Sequence, residues 1–224
     1  MAPDGPDGRS MHMSKVFAAA AAATVAVGLA ATGGYVFLKS IADSGDPFAE
    51  CRQGQTGGAD IGGPFTLVDK DGKTVTDKDV LTEPTLVYFG YTFCPDVCPL
   101  DMSRNAEVAD ILEEQGMNLD LVFITVDPAR DTPQIVGEFA SNIHPRAVGL
   151  TGSDEQITAA AKAYRAYFKK QEGGDPEYYL VDHTAFTYLM LPGVGFADFY
   201  KHAAPADEVA KGVGCFVDAA ARTN

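Results

Sequence analysis

From Thr85 to Phe93 the chain is almost continuously apolar or aromatic, and it runs straight into Cys94-Pro95-Asp96-Val97-Cys98-Pro99. An apolar run without alternation predicts a strand covered on both faces. Such a strand needs a sheet with helices packed on it, so the run constrains the chain to a layered α/β fold. Leu100 to Glu114 then shows helical spacing. Sulfurs at positions i and i+4 fall on one face of a helix's first turn. Helix N-termini favour anions, so both thiols are expected to ionise more easily than free cysteine.

The rest of the chain continues the alternation. Phe65 to Val68 and Lys73 to Val75 read as strands joined at Asp71-Gly72, a pair that tolerates the positive φ of a tight turn. Leu119 to Val126 reads as a buried strand, Gln134 to Ile143 as a helix, 147–150 as a short strand and 155–169 as a helix. Strands near 178–182, 185–191 and 195–200 and a helix over 206–222 complete the domain. The order predicts an α/β sandwich with a central mixed sheet, an N-terminal hairpin and a late strand pair.

Val16 to Leu38 is uncharged and mostly apolar, closed by Lys15 and Lys39. About twenty apolar residues suffice to cross a bilayer as a helix. The rival reading is a cleavable signal, with Ala30, Ala31, Gly33 and Gly34 as the small residues a peptidase accepts. The length of the stretch and its large terminal residues favour an uncleaved anchor. Arg9 and Lys15 then orient the chain by the positive-inside tendency, which Lys39 weakens. The expected organisation is a short cytoplasmic N-terminus over 1–15, an anchor over 16–38, a Gly- and Asp-rich linker over 39–60 and a domain over 61–224 outside the cytoplasm. Met11 and Met13 are alternative starts to Met1. The net charge of −14 makes nucleic acid a poor partner and otherwise serves solubility.

The spacing of Cys94 and Cys98 bears on their chemistry. A Cys-x-x-Cys pair here would read as a redox motif, but three residues intervene. Helical Cβ atoms at i and i+4 lie about 5–6 Å apart, whereas an unstrained disulfide wants about 3.5–4.5 Å. Two thiolates on one metal, each bonded at about 2.3 Å, span up to about 4.6 Å. The spacing tilts toward metal without forbidding redox.

Tyr88 through Pro99, Val126-Asp127-Pro128-Ala129-Arg130-Asp131-Thr132-Pro133 and Tyr179-Leu180-Val181-Asp182-His183-Thr184 stand in the order seen in one branch of the thioredoxin fold. Over about Ile61 to Ala220, and in its anchor, the chain resembles the Sco/SenC family of membrane-anchored copper proteins. The resemblance implies a thioredoxin-like fold and adds His183 to Cys94 and Cys98 as a third metal ligand. Two thiolates and an imidazole suit Cu(I), and the imidazole helps the set accept Cu(II). Zinc usually wants a fourth ligand, and none is obvious. His12 precedes the anchor, while His144 and His202 read as surface residues.

Pro95 is expected at the first helical position. Asp96 reads as helix-end electrostatics, with weak copper ligation as the alternative. Asp131 or Thr132 caps the next helix, and the resemblance puts Asp127 and Arg130 in a loop near the metal end. Met102, Met117 and Met190 are scattered and read as packed rather than as a second copper site. Cys51 and Cys215 lie near opposite ends of the domain, and such ends are often close in space. Outside the cytoplasm a disulfide between them would persist, with two unrelated buried thiols as the alternative.

The resemblance implies a copper chaperone that helps metallate the dinuclear copper site of cytochrome c oxidase. Its partners would be the oxidase subunit carrying that site, other extracytoplasmic copper carriers or thiol reductants, and the membrane holding the anchor, on the periplasmic side of a bacterial inner membrane. The second reading is an enzyme: a thiol-disulfide reductase in which Cys94 and Cys98 act as a catalytic redox pair without His183. A thiol peroxidase is a third reading, and the absence of tryptophan removes its glutathione-peroxidase-like form.

Overall fold

The computed structural model describes residues 32–35, 45–52, 60–173 and 178–222. The expected anchor and much of the expected linker lie outside these residues. Among the described residues no helix is long and apolar enough to cross a membrane. The chain divides into two compact units, Met1–Ala49 and Glu50–Asn224. Within the first, 32–35 form one helical turn, and the Phe48 backbone N–H donates to Asp46 Oδ1 at 3.0 Å. The second unit carries everything that follows.

Its centre is strand β3 (Thr85–Gly90), buried at every position as the unbroken apolar run requires. Beside it lie β4 (Asp120–Thr125), paired in parallel, and β8 (Phe186–Leu191), paired antiparallel. With β5 (Ala147–Leu150) and β9 (Gly195–Lys201) at the edges, the mixed sheet runs β5-β4-β3-β8-β9. A separate hairpin pairs β1 (Thr66–Val68) with β2 (Thr74–Thr76), and Gly72 takes the positive φ of 74° that its turn demands. The short helix α1 (Asp77–Val80) follows. Tyr88, Phe89, Phe123, Tyr164 and Phe216 are fully buried and form much of the core.

The long helix α2 (Val97–Glu114) carries the second site cysteine and packs against α5 (Ala206–Ala221). Helix α3 (Pro133–Ile143) starts where Thr132 accepts a hydrogen bond from the Ile135 N–H, with Pro133 in the first turn. Of the two expected caps, Thr132 takes the role and Asp131 turns into the interior. Helix α4 (Asp154–Ala163) opens on a capping box of Ser153 and Gln156.

The expected helix over 155–169 is corrected: α4 stops at Ala163, and Phe168–Lys170 forms strand β6 against β7 (Val181–His183). Arg165, at φ 53°, turns the chain out of the helix. Beyond the ladder, Tyr167 N–H donates to Thr184 Oγ1 and Thr184 N–H to the Tyr167 carbonyl, both at 2.9 Å. Tertiary pairing outweighs a weak local preference here.

Cys51 and Cys215 are joined in a disulfide, with Cα atoms 5.6 Å apart. The bridge ties the start of the second unit to α5 and leaves Cys94 and Cys98 as the free cysteines among the described residues.

Candidate metal centre

Three segments converge at the end of β3. Cys94 sits in the turn after the strand, where its N–H donates to the Tyr91 carbonyl at 3.2 Å. Asp96 occupies the N-cap position of α2 and makes no side-chain capping bond. Only Cys98 therefore lies in the first helical turn, and the expected placement of both cysteines there is corrected, as is Pro95 at the first helical position. In place of a side-chain cap, the Cys98 N–H donates to Cys94 Sγ at 3.4 Å. A helix leaves its first N–H groups without intrahelical partners, and here a sulfur meets one of them.

His183 is the last residue of β7. Its Nδ1 lies 3.2 Å from the Thr184 carbonyl, which can only accept, so Nδ1 carries the proton. The lone pair on Nε2 then faces Cys98 Sγ at 3.2 Å. Tyr88 and Tyr91 meet the imidazole edge-on, with interplanar angles of 83° and 89°, and fix its plane. Cys94 Sγ, Cys98 Sγ and a His183 ring nitrogen all lie within 4.8 Å of one another. Sulfur and nitrogen ligands at about 2.0–2.3 Å from a metal span nearly that distance, so one ion fits among them with small movements.

The two thiols are unequal. Cys94 is pushed down to about 3, chiefly by the hydrogen bond from the Cys98 side chain, with the backbone N–H groups of Asp96 and Cys98 assisting against burial. Cys98 is pushed upward, first by burial and then by the neighbouring Cys94. The pair thus holds Cys94 as thiolate and Cys98 as thiol. The expectation that both ionise easily is met by Cys94 alone, because Cys98 is 0% exposed and loses the hydration its thiolate needs.

Close packing sets the cysteine helix against the strand. A Cβ at Gly90 would stand 2.9 Å from Cys98 Sγ, so only glycine leaves room for that sulfur. The turn is anchored from α3's approach. The buried Asp131 carboxylate accepts from Thr92 N–H at 3.0 Å, Thr92 Oγ1 at 2.5 Å and Thr125 Oγ1 at 2.6 Å. Burial raises the Asp131 pKa, and these hydrogen bonds oppose the rise. Asp127 accepts from Tyr179 Oη at 2.6 Å and pairs with Arg130 Nε.

The motifs at 88–99, 126–133 and 179–184 therefore meet in space. Among the described residues the metal-competent cluster is Cys94, Cys98 and His183; exposed Asp96 is not part of it. His144, expected at the surface, is buried: its Nδ1 accepts from the Arg146 N–H and its Nε2 lies 3.3 Å from Asp110. His202 is exposed and lies 3.0 Å from the buried Asp101 carboxylate. His12 lies outside the described residues. Met102 and Met190 are buried. Gly90, Tyr91, Arg130 and Asp131 stood in noted motifs, but nothing local signalled their contacts.

Comparison with known proteins decides the family. The SCO1/SenC family profile matches residues 53–218. The chain belongs to the SCO1/SenC family. Protein SenC of Rhodobacter capsulatus is 52% identical, covering 90% of this chain and 89% of its own. The crystal structure of Arabidopsis thaliana ScoI with copper bound is 44% identical, with a TM-score of 0.66, and covers 70% of this chain and 99% of that one. BsSco, described with a disulfide switch and as a member of the Sco family of cytochrome c oxidase assembly proteins, is 26% identical at a TM-score of 0.56. That match covers 73% of this chain and 97% of that one. The SCO1/SenC domain here thus has the thioredoxin-like architecture of copper-bound relatives.

Proposed function

We propose that this chain is a membrane-anchored copper chaperone that binds one copper through Cys94, Cys98 and His183. It would pass that copper to the dinuclear copper site of cytochrome c oxidase. The carrying observation is the convergence of two sulfurs and an imidazole nitrogen within 4.8 Å. The copper-bound ScoI relative and the oxidase-assembly description of BsSco support cargo and destination respectively.

Copper is the cargo. Cys94 is already a thiolate, so loading releases the proton of Cys98 alone. The softness of the set suits Cu(I). Three protein ligands leave one side of the ion open, and a partner's thiolates can enter there and take it over. We further read residues 16–38 as the anchor that holds the domain on the periplasmic side of a bacterial inner membrane, with 39–60 as its linker.

The depressed pKa of Cys94 favours a second reading, a thiol-disulfide reductase. Cys94 thiolate attacks one sulfur of a partner disulfide and displaces the other as a thiolate. Cys98 then attacks Cys94, releases the second partner sulfur and gives up its proton to it. The partner gains two electrons and the Cys94–Cys98 pair is oxidised to a disulfide.

The test is Cu(I) binding by the reduced full-length chain without oxygen, comparing wild type with His183→Ala and Cys98→Ser. One copper per chain in wild type, weakened about tenfold or more in both variants, supports the chaperone. Binding indifferent to His183, together with reduction of a disulfide substrate, replaces it with the reductase.

A further inference from the structure

The ligands come from segments with no covalent reason to stay in register, and one side chain touches both. Arg130, in the loop before α3, has its guanidinium carbon 3.6 Å from the Tyr179 ring centroid, 4.7 Å from that of Phe93 and 5.7 Å from that of Tyr91. Phe93 immediately precedes Cys94. Tyr91 holds the His183 ring edge-on at 5.8 Å between centroids. Tyr179 lies two residues before β7 and four before His183, and Lys170 Nζ of β6 lies 3.4 Å from the same ring.

We propose that Arg130 is a positioning residue that sets the approach of His183 to Cys94 and Cys98. It does so by holding Phe93 and Tyr91 of the cysteine segment and Tyr179 of the histidine segment against a single guanidinium. This deepens the copper reading above and rests on it.

The physical basis is a largely desolvated cation among aromatic faces. The Arg130 side chain is 13% exposed, and cation–π attraction strengthens as water is excluded. Asp127 completes the clasp, because its carboxylate pairs with Arg130 Nε while accepting the Tyr179 hydroxyl. The β6–β7 hairpin lies outside the five-stranded sheet, so no strand pairing to that sheet holds His183 in place. A planar guanidinium can lie flat on rings in a way a lysine ammonium cannot.

The experiment uses the full-length reduced chain as wild type, Arg130→Ala, Arg130→Lys, His183→Ala and the double variant Arg130→Ala/His183→Ala. Cu(I) affinity is read by competition with a chromophoric chelator. The environment of His183 is read without copper, from its imidazole NMR resonances, which the rings of Tyr88 and Tyr91 shift.

Arg130→Ala is expected to move the His183 resonances toward unperturbed values and to weaken copper about tenfold. Arg130→Lys should fall between it and wild type. In the His183→Ala background the arginine substitution should cost nothing more, since its effect runs through His183. Unmoved His183 resonances, or a copper loss additive with His183→Ala, overturn the proposal.

If wild type binds copper indifferently to His183, the metal reading fails while the copper-free resonances still decide the positioning. If Arg130→Ala does not fold, Tyr179→Leu removes the ring and leaves the cation. His183 resonances unmoved by that substitution overturn the proposal equally.

Discussion

His183 Nε2 and Cys98 Sγ stand 3.2 Å apart although 85 residues separate them in the chain. The Thr184 carbonyl fixes the proton on the opposite ring nitrogen, so Nε2 presents its lone pair to the sulfur. Burial keeps Cys98 as the protonated member of its pair, and the hydrogen bond it gives holds Cys94 as the charged one.

That asymmetry sets how the reduced protein responds to pH. Cys94, lowered from an ordinary 9.0 to about 3, should react with iodoacetamide at a rate nearly constant between about pH 5 and 8. Cys98 should stay unmodified in that range. Taken by itself, the lowered Cys94 pKa stabilises the fold fully above 9.0 and that contribution is lost as pH falls through about 3, while the raised Cys98 pKa works against the fold above 9.0. Mass analysis of alkylated peptides against pH checks this, and equal labelling of the two cysteines would count against it.

The glycine behind Cys98 makes a second prediction. Gly90→Ala places a Cβ 2.9 Å from Cys98 Sγ, from Phe123 Cε2 and from Tyr88 Cε1, all in the buried core. Overpacking of this kind costs about 1–3 kcal/mol. Urea unfolding of the reduced protein should show the loss. Because the sulfur must move, the alkylation rate and copper affinity should change in the same variant. A variant with wild-type stability would contradict the packing described here.

The third prediction concerns the bridge across the domain. The Cys51–Cys215 disulfide closes a separation of 164 residues, for which the chain-entropy model gives about 5 kcal/mol and observed losses run at about 2–5. Replacing both cysteines with serine should lower unfolding stability by that order. Copper binding should persist, since neither residue belongs to the metal cluster. Unchanged denaturation midpoints in the double variant would show that the bridge adds no stability.

The local sequence was enough for the strand that feeds the site, because an apolar run of this length has one favourable environment, a sheet interior. It was also enough to single out the cysteine pair and to expect a disulfide between Cys51 and Cys215. The choice of His183 over His144 and His202 came from motif order, and its distance to the sulfurs could not be read from spacing. The helical spacing over 155–169 overruns the helix itself, because spacing through Tyr164 and Phe168 says nothing of the turn at Arg165 or of the partner strand at 181–183. Which cysteine ionises was equally hidden. Both have the same chemistry and helix-end context in sequence, and only the packing around Gly90 and the imidazole across from Cys98 buries one more than the other. Patterns of apolarity and spacing are local and survive in the sequence. Desolvation and hydrogen-bond partnership depend on segments far apart in the chain, so tertiary structure alone decided the thiols' charge and the grip of Arg130 on the site.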